Sequence, residues 1–169
     1  MPEAPSSAPS TPSTGAPSTG APSAAAPEDA ALQTALAAAH TAVWGYAVVG
    51  AALPPGSREP AAAGRQAHRD LRDRLAELLT SHGLDPVGTQ GGYALPFPVL
   101  SPVDAAALAV TLEDGTSAAW TWVLDQATEA GTRELGVATL GAAELRAVAW
   151  RAAAGRTPVT SSFPGLPAS

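Results

Sequence analysis

The chain contains no cysteine, which excludes disulfides, thiolate nucleophiles and cysteine-based zinc sites. It also contains no lysine. All nine basic residues are arginines, set against 15 acidic residues for a net charge of −6. The arginines are interleaved with acids, as in RQAHRDLRDRLAE from Arg65 to Glu77. No basic stripe is therefore expected to release counterions from a phosphate backbone, and no nucleic-acid partner is expected. Long apolar runs are missing too. Ala30 to Ser57 is uncharged, but Gln33, Thr34, His40 and Thr41 interrupt it. Its strongly apolar part, AVWGYAVVGAAL, falls short of the ~20 residues a bilayer requires, so no membrane span is expected. The first residues lack the basic start and apolar centre of a secretory signal, which makes a cytoplasmic location the default expectation.

Catalytic signatures are equally scarce. The hydroxyl side chains concentrate near the two ends, with no nucleophile elbow and no His–Asp pair placed by motif. GTQGG follows no expected strand and opens no expected helix, so it is no phosphate-binding loop. Glu113 and Asp114 are adjacent and diverge around a helix, which excludes a glycosidase-type carboxylate pair.

What is present divides in two. Residues 1–27 are almost entirely Ala, Pro, Ser, Thr and Gly, with Glu3 the only charged side chain. Such a stretch buries too little apolar surface to offset the entropy of ordering, and a disordered tether is expected. Residues 28–169 are expected to form one helical domain that includes a Pro-rich tail. Spacings of three and four define four helices. Helix 1, about 28–53, has a seam of Leu32, Leu36, Ala39, Val43, Tyr46, Gly50 and Leu53. Helix 2, about 58–82, uses Gly64, His68, Leu71, Leu75, Leu78 and His82. Helix 3, about 103–128, uses Ala106, Val110, Glu113, Ser117, Trp120, Leu124 and Ala127. Helix 4, about 132–154, uses Leu135, Ala138, Ala142, Leu145, Ala149 and Ala152.

Short connections make helices 1 and 2, and helices 3 and 4, antiparallel hairpins. Residues 83–102 between the pairs are much longer than a hairpin needs. A helix of this size is ~35 Å long, and twenty extended residues span ~60 Å. The connection can run the length of the bundle and leave helix 3 parallel to helix 2. Short, long, short is the loop pattern of a ferritin-like bundle with one long crossover. A plain up-down-up-down bundle with a coiled loop is the other topology these lengths permit.

HTAVWGYAVVGA, AHRDLRDRLAELL, YALPFPV, LEDGTSAAW and PVTSSFPGLP together resemble a ferritin-like domain family of unassigned role from high-GC Gram-positive bacteria. The resemblance covers about residues 28–167. It implies an all-α ferritin-like four-helix fold, without implying iron storage or oxidase activity. It also implies Glu-His at the place of Ala39-His40, a histidine at His68 and an acid at Glu113. Here alanine replaces that first glutamate.

A ferritin-like di-iron site needs a glutamate from each of two helices and Glu-x-x-His from each of the other two. Helix 1 has Ala39, helix 2 reads RQAH ending at His68, helix 3 has Glu113, and helix 4 reads ELRA from Glu144. Only His68 and Glu113 keep seam positions. In the parallel crossover their levels match, so the two can meet. They then either satisfy each other, hold one weakly bound metal, or serve a small-ligand or proton-transfer role. His40, at the boundary of the helix 1 seam, is the third and weaker candidate ligand. His82, in the last turn of helix 2, is expected to cap it.

Helix 1 carries no charge between Asp29 and Arg58. A helix apolar all round needs cover on every side. Either the crossover and tail supply it, or a second subunit or protein partner packs on helix 1 and the crossover. Trp122, on the polar face of helix 3, either marks an interface or lies under the tail. The reading that follows is a non-enzymatic ferritin-like domain with an interaction or scaffold role and no cofactor. The alternative is a metal- or small-ligand-binding domain built on the core His/Glu cluster.

Overall fold

The structure, a computed structural model, describes residues 26–166. The tether expected over 1–27 lies outside the described residues except for Ala26 and Pro27. Four helices follow: α1 (Pro27–Ala52), α2 (Glu59–Ser81), α3 (Pro102–Gln126) and α4 (Ala130–Ala153), with a single 3₁₀ turn at Pro55–Ser57. No strand occurs among the described residues.

Local chemistry sets the ends. The α3 start is a reciprocal cap: the Ser101 hydroxyl accepts from Asp104 N, and Asp104 Oδ2 accepts from the Ser101 hydroxyl and Leu100 N. The α2 end is a Schellman-type stop. Gly83 has φ +76 and Leu84 N donates to Leu79 O, a left-handed turn that glycine adopts without strain.

Two clusters of buried side chains give the helix directions. One joins Tyr46 and Val49 of α1 and Leu53 at its C-cap to Ala61 of α2, Ala105, Leu108, Ala109 and Val110 of α3 and Trp150 of α4. The other joins Leu32 and Leu36 of α1 to Leu75 and Leu79 of α2, Trp120 and Val123 of α3 and Leu135 of α4. The C-terminal half of α1 therefore lies level with the N-terminal halves of α2 and α3 and the end of α4. Helices α2 and α3 run parallel, and α1 runs against both. This is the all-α four-helix bundle with the long crossover, rather than the up-down alternative.

The crossover lies along α1. Gln33 Nε2 donates to Asp85 O at 2.8 Å and Val87 N donates to Gln33 Oε1 at 2.8 Å. Tyr93 packs on Trp44 with ring centroids 5.6 Å apart, and Phe97 and Val99 reach the first cluster. The crossover thus packs on the side of α1 that carries Gln33, His40 and Trp44. Among the described residues α1 is the one helix long and apolar enough to cross a membrane. In this fold it is the core helix, packed by α2, α3 and the crossover.

Helix α1 also packs closely because two glycines leave room. A Cβ on Gly64 of α2 would lie 2.6 Å from Tyr46 Cε1, and one on Gly45 would lie 2.7 Å from the Leu112 methyl carbons. The helix seams differ from expectation in places. On α1, Ala42 and Val49 are buried, whereas Val43 and Gly50 lie at the edge. On α2, Leu79 replaces Leu78, and His82 is exposed. On α4 the expected seam is rotated. Leu145 is 76% exposed, and the buried face is Thr132, Leu135, Gly136, Ala143, Ala147, Trp150 and Arg151. Alanine on every side of α4 leaves apolar spacing little contrast. The deciding side chains are the tryptophan and the polar groups described next.

Candidate functional site

The carboxylate of Glu113 is fully buried at the centre of the bundle. Each of the other three helices sends a side chain to it. From α1, the Tyr46 hydroxyl donates to Oε1 at 2.5 Å. From α2, His68 Nε2 lies 3.0 Å from Oε1 and donates to it. From α4, Arg146 closes a fork, with Nε to Oε1 at 2.8 Å and Nη2 to Oε2 at 3.0 Å. Trp150 Nε1 then donates to the Tyr46 oxygen at 3.0 Å. The Tyr46 ring also lies 5.5 Å, centroid to centroid, from the His68 ring.

Burial alone would raise the Glu113 pKa, but the donors His68 and Arg146 outweigh it and hold the carboxyl below its ordinary range. Burial and the Glu113 charge push the Tyr46 hydroxyl well above its usual value. Burial would lower Arg146, and Glu113 more than reverses this. The cluster is therefore an ionised carboxylate held by the Arg146 guanidinium, the Tyr46 hydroxyl and the His68 ring N–H. Within it, His68 Nδ1 alone is buried without a partner.

The expected meeting of His68 with Glu113 is present. His40 is elsewhere: its Nε2 donates to Val87 O of the crossover at 3.0 Å. His82 is the C-cap residue of α2, and its Nδ1 lies 2.6 Å from Asp29 Oδ1, tying the end of α2 to the start of α1. Ala39 is buried. The α1 side chain that reaches Glu113 is Tyr46, two turns and ~10 Å further along the axis. Arg146 and Trp150 were not foreseen. Their signal was available, since an alanine-rich helix carrying Glu144, Arg146 and Arg151 must place three charges somewhere. Arg151 is itself buried, reaching Asp114, Glu144 and Val159 O, while the Ser117 hydroxyl donates to Glu144 at 2.6 Å. That second network ties α3, α4 and the tail together.

A comparison with family profiles matches residues 31–168 to a domain of unknown function, DUF4439. The chain belongs to the DUF4439 family. Among solved structures, this DUF4439 chain is similar to the crystal structure of a conserved hypothetical protein from Mycobacterium tuberculosis. The identity is 34% and the TM-score 0.74, over 77% of this chain and 98% of that one. No curated protein matches the chain.

The donor set of this DUF4439 domain does not fit a di-metal centre. Oε1 of Glu113 accepts three donors and Oε2 one, so a cation would have to displace Arg146. Among the described residues no three His, Cys, Asp or Glu side chains come together as a ligand group.

Proposed function

We propose that this chain is a non-enzymatic domain of ferritin-like topology whose core holds a structural ion pair where related bundles hold metal. It acts through its surface, by interaction. The observation that carries this reading is the Arg146 fork on Glu113. A guanidinium is a permanent cation of fixed geometry, and it takes the charge-balancing place a metal would fill. The competing reading, a metal or small ligand held by His68 and Glu113 with His40, has one observation in its favour, the unpartnered His68 Nδ1. Elemental analysis of protein purified without chelators or affinity metals separates the two. The expected result is no near-stoichiometric iron, manganese or zinc, and no rise in melting temperature when each is added. A metal-induced rise that His68→Ala abolishes would establish the competing reading.

The proposed partner is a second copy of the chain, meeting on the face of α1, α3 and the crossover. A groove of about 470 Å³ opens there among Ala37, Ala38, Val87, Tyr93, Ala118 and Trp122. Trp122 and Val87 are 41% and 40% exposed on its rim. An apolar knob beside an apolar groove on one face suits a two-fold, self-complementary contact. Sedimentation equilibrium should give a dimer that Trp122→Glu converts to monomer. A wild-type monomer at all concentrations sinks the dimer.

A further inference from the structure

Helix α2 looks charge-balanced along the chain, but it is not balanced around its axis. Arg58, at its N-cap, and Arg65 and Arg69 are seven and four residues apart, so helical geometry puts them within a ~40° arc. All three line one groove of about 500 Å³ between the end of α1 and the start of α2, and no carboxylate lines it. Of the nearby acids, Asp73 lies one turn beyond Arg69 on the same face, outside the groove lining. Asp73 is paired with Arg72, and Asp70 accepts from Gln66, the groove's remaining polar residue.

The guanidinium groups are not used up by the fold. Arg58 Nε donates to Leu53 O at 2.9 Å, which fixes the head and leaves its two terminal amino groups without a protein partner among the described residues. Arg69 makes no ion pair and no side-chain hydrogen bond there. Arg65 Nε is buried and unpartnered. A buried, unpaired N–H of a permanent cation is costly, and a charged acceptor repays that cost most fully. The rest of the lining is small and apolar: Ala47, Gly50, Ala51, Ala61 and Ala62, with Tyr46 at the floor. A chain of net charge −6 has thus gathered three of its nine arginines around one unshared space.

We propose that this groove binds a small phosphorylated ligand of the diphosphate class. Three forked cations match a multiply charged phosphate anion better than a single carboxylate. The volume suits one small molecule.

Titration calorimetry of the full chain with inorganic pyrophosphate tests this. Saturable binding is expected, with Arg65→Ala and Arg69→Ala each weakening it at least tenfold. Arg74→Ala, which removes an exposed arginine outside the groove, should bind as wild type. Thermal melts of each variant separate loss of binding from loss of fold. Binding that survives in the folded Arg65→Ala/Arg69→Ala double variant overturns the proposal, as does the absence of binding at millimolar pyrophosphate. Flotation with phosphatidylglycerol vesicles distinguishes the source of the phosphate. Vesicle binding without pyrophosphate binding would assign the arginines to a lipid surface and overturn the small-ligand reading. None of these outcomes depends on whether the core cluster holds metal.

Discussion

At the scale of single residues, the cluster around Glu113 should dominate stability. A buried charge is tolerable only while its partners remain. Arg146→Ala leaves the carboxylate with Tyr46 and His68 alone, at a cost of about 2–3 kcal/mol. This lies below the ~3–5 kcal/mol of a fully buried pair because the Arg146 side chain is 25% exposed. Tyr46→Phe is milder. It removes one donor to Glu113 and orphans Trp150 Nε1, for about 1–2 kcal/mol. Urea unfolding followed by tryptophan fluorescence reads both. If Arg146→Ala proves neutral, the fork is not what holds the carboxylate.

At the scale of elements, helix contact distance is the sensitive variable. Gly64 lets α2 approach the Tyr46 ring, and a Cβ there would stand 2.6 Å from Cε1. Tyr46 cannot retreat, since its hydroxyl joins Glu113 to Trp150. Gly64→Ala should therefore destabilise by about 1–3 kcal/mol despite the better helix propensity of alanine. A circular-dichroism melt measures it. Gly64 and His68 were legible in the sequence because α2 has strong contrast between leucines and charges. The crossover was legible from its length, and the parallel levels of α2 and α3 that follow from it brought His68 to Glu113. Helix α4 was not legible in the same way. Where nearly every position is alanine, one-face spacing fits several rotations. The true face is chosen by Trp150 and by Arg146, which has to reach a carboxylate on another helix. Long-range pairing of this kind leaves no periodic trace. Spacing gives a face, but the height of one helix against another comes only from packing.

At the scale of the whole molecule, two buried carboxylates link distant parts of the chain and make stability depend on acid. Glu113 joins all four helices. Glu28, at the start of α1, accepts from Thr128 N at 2.7 Å, from the Thr128 hydroxyl at 2.5 Å and from Glu129 N at 3.2 Å, closing the α3–α4 turn a hundred residues away. Burial would raise the Glu28 pKa, but these donors and Thr132 bring it down to about 2 from an ordinary 4.5. Both groups are therefore depressed in the folded state. The stability each adds is complete above the unfolded-state value near 4.5 and is lost as pH falls through its folded-state value, which for Glu28 is about 2. For Glu28 the pH-dependent part is roughly 3 kcal/mol at most. The urea midpoint should thus be nearly flat above about pH 5 and fall steeply below it. Glu28→Gln should lower the neutral-pH midpoint and flatten the acid limb, since the amide has no proton to gain. An acid limb as steep in Glu28→Gln as in the wild type would place the linkage on Glu113 alone, with the four-helix node rather than the end clasp setting the acid limit of the fold.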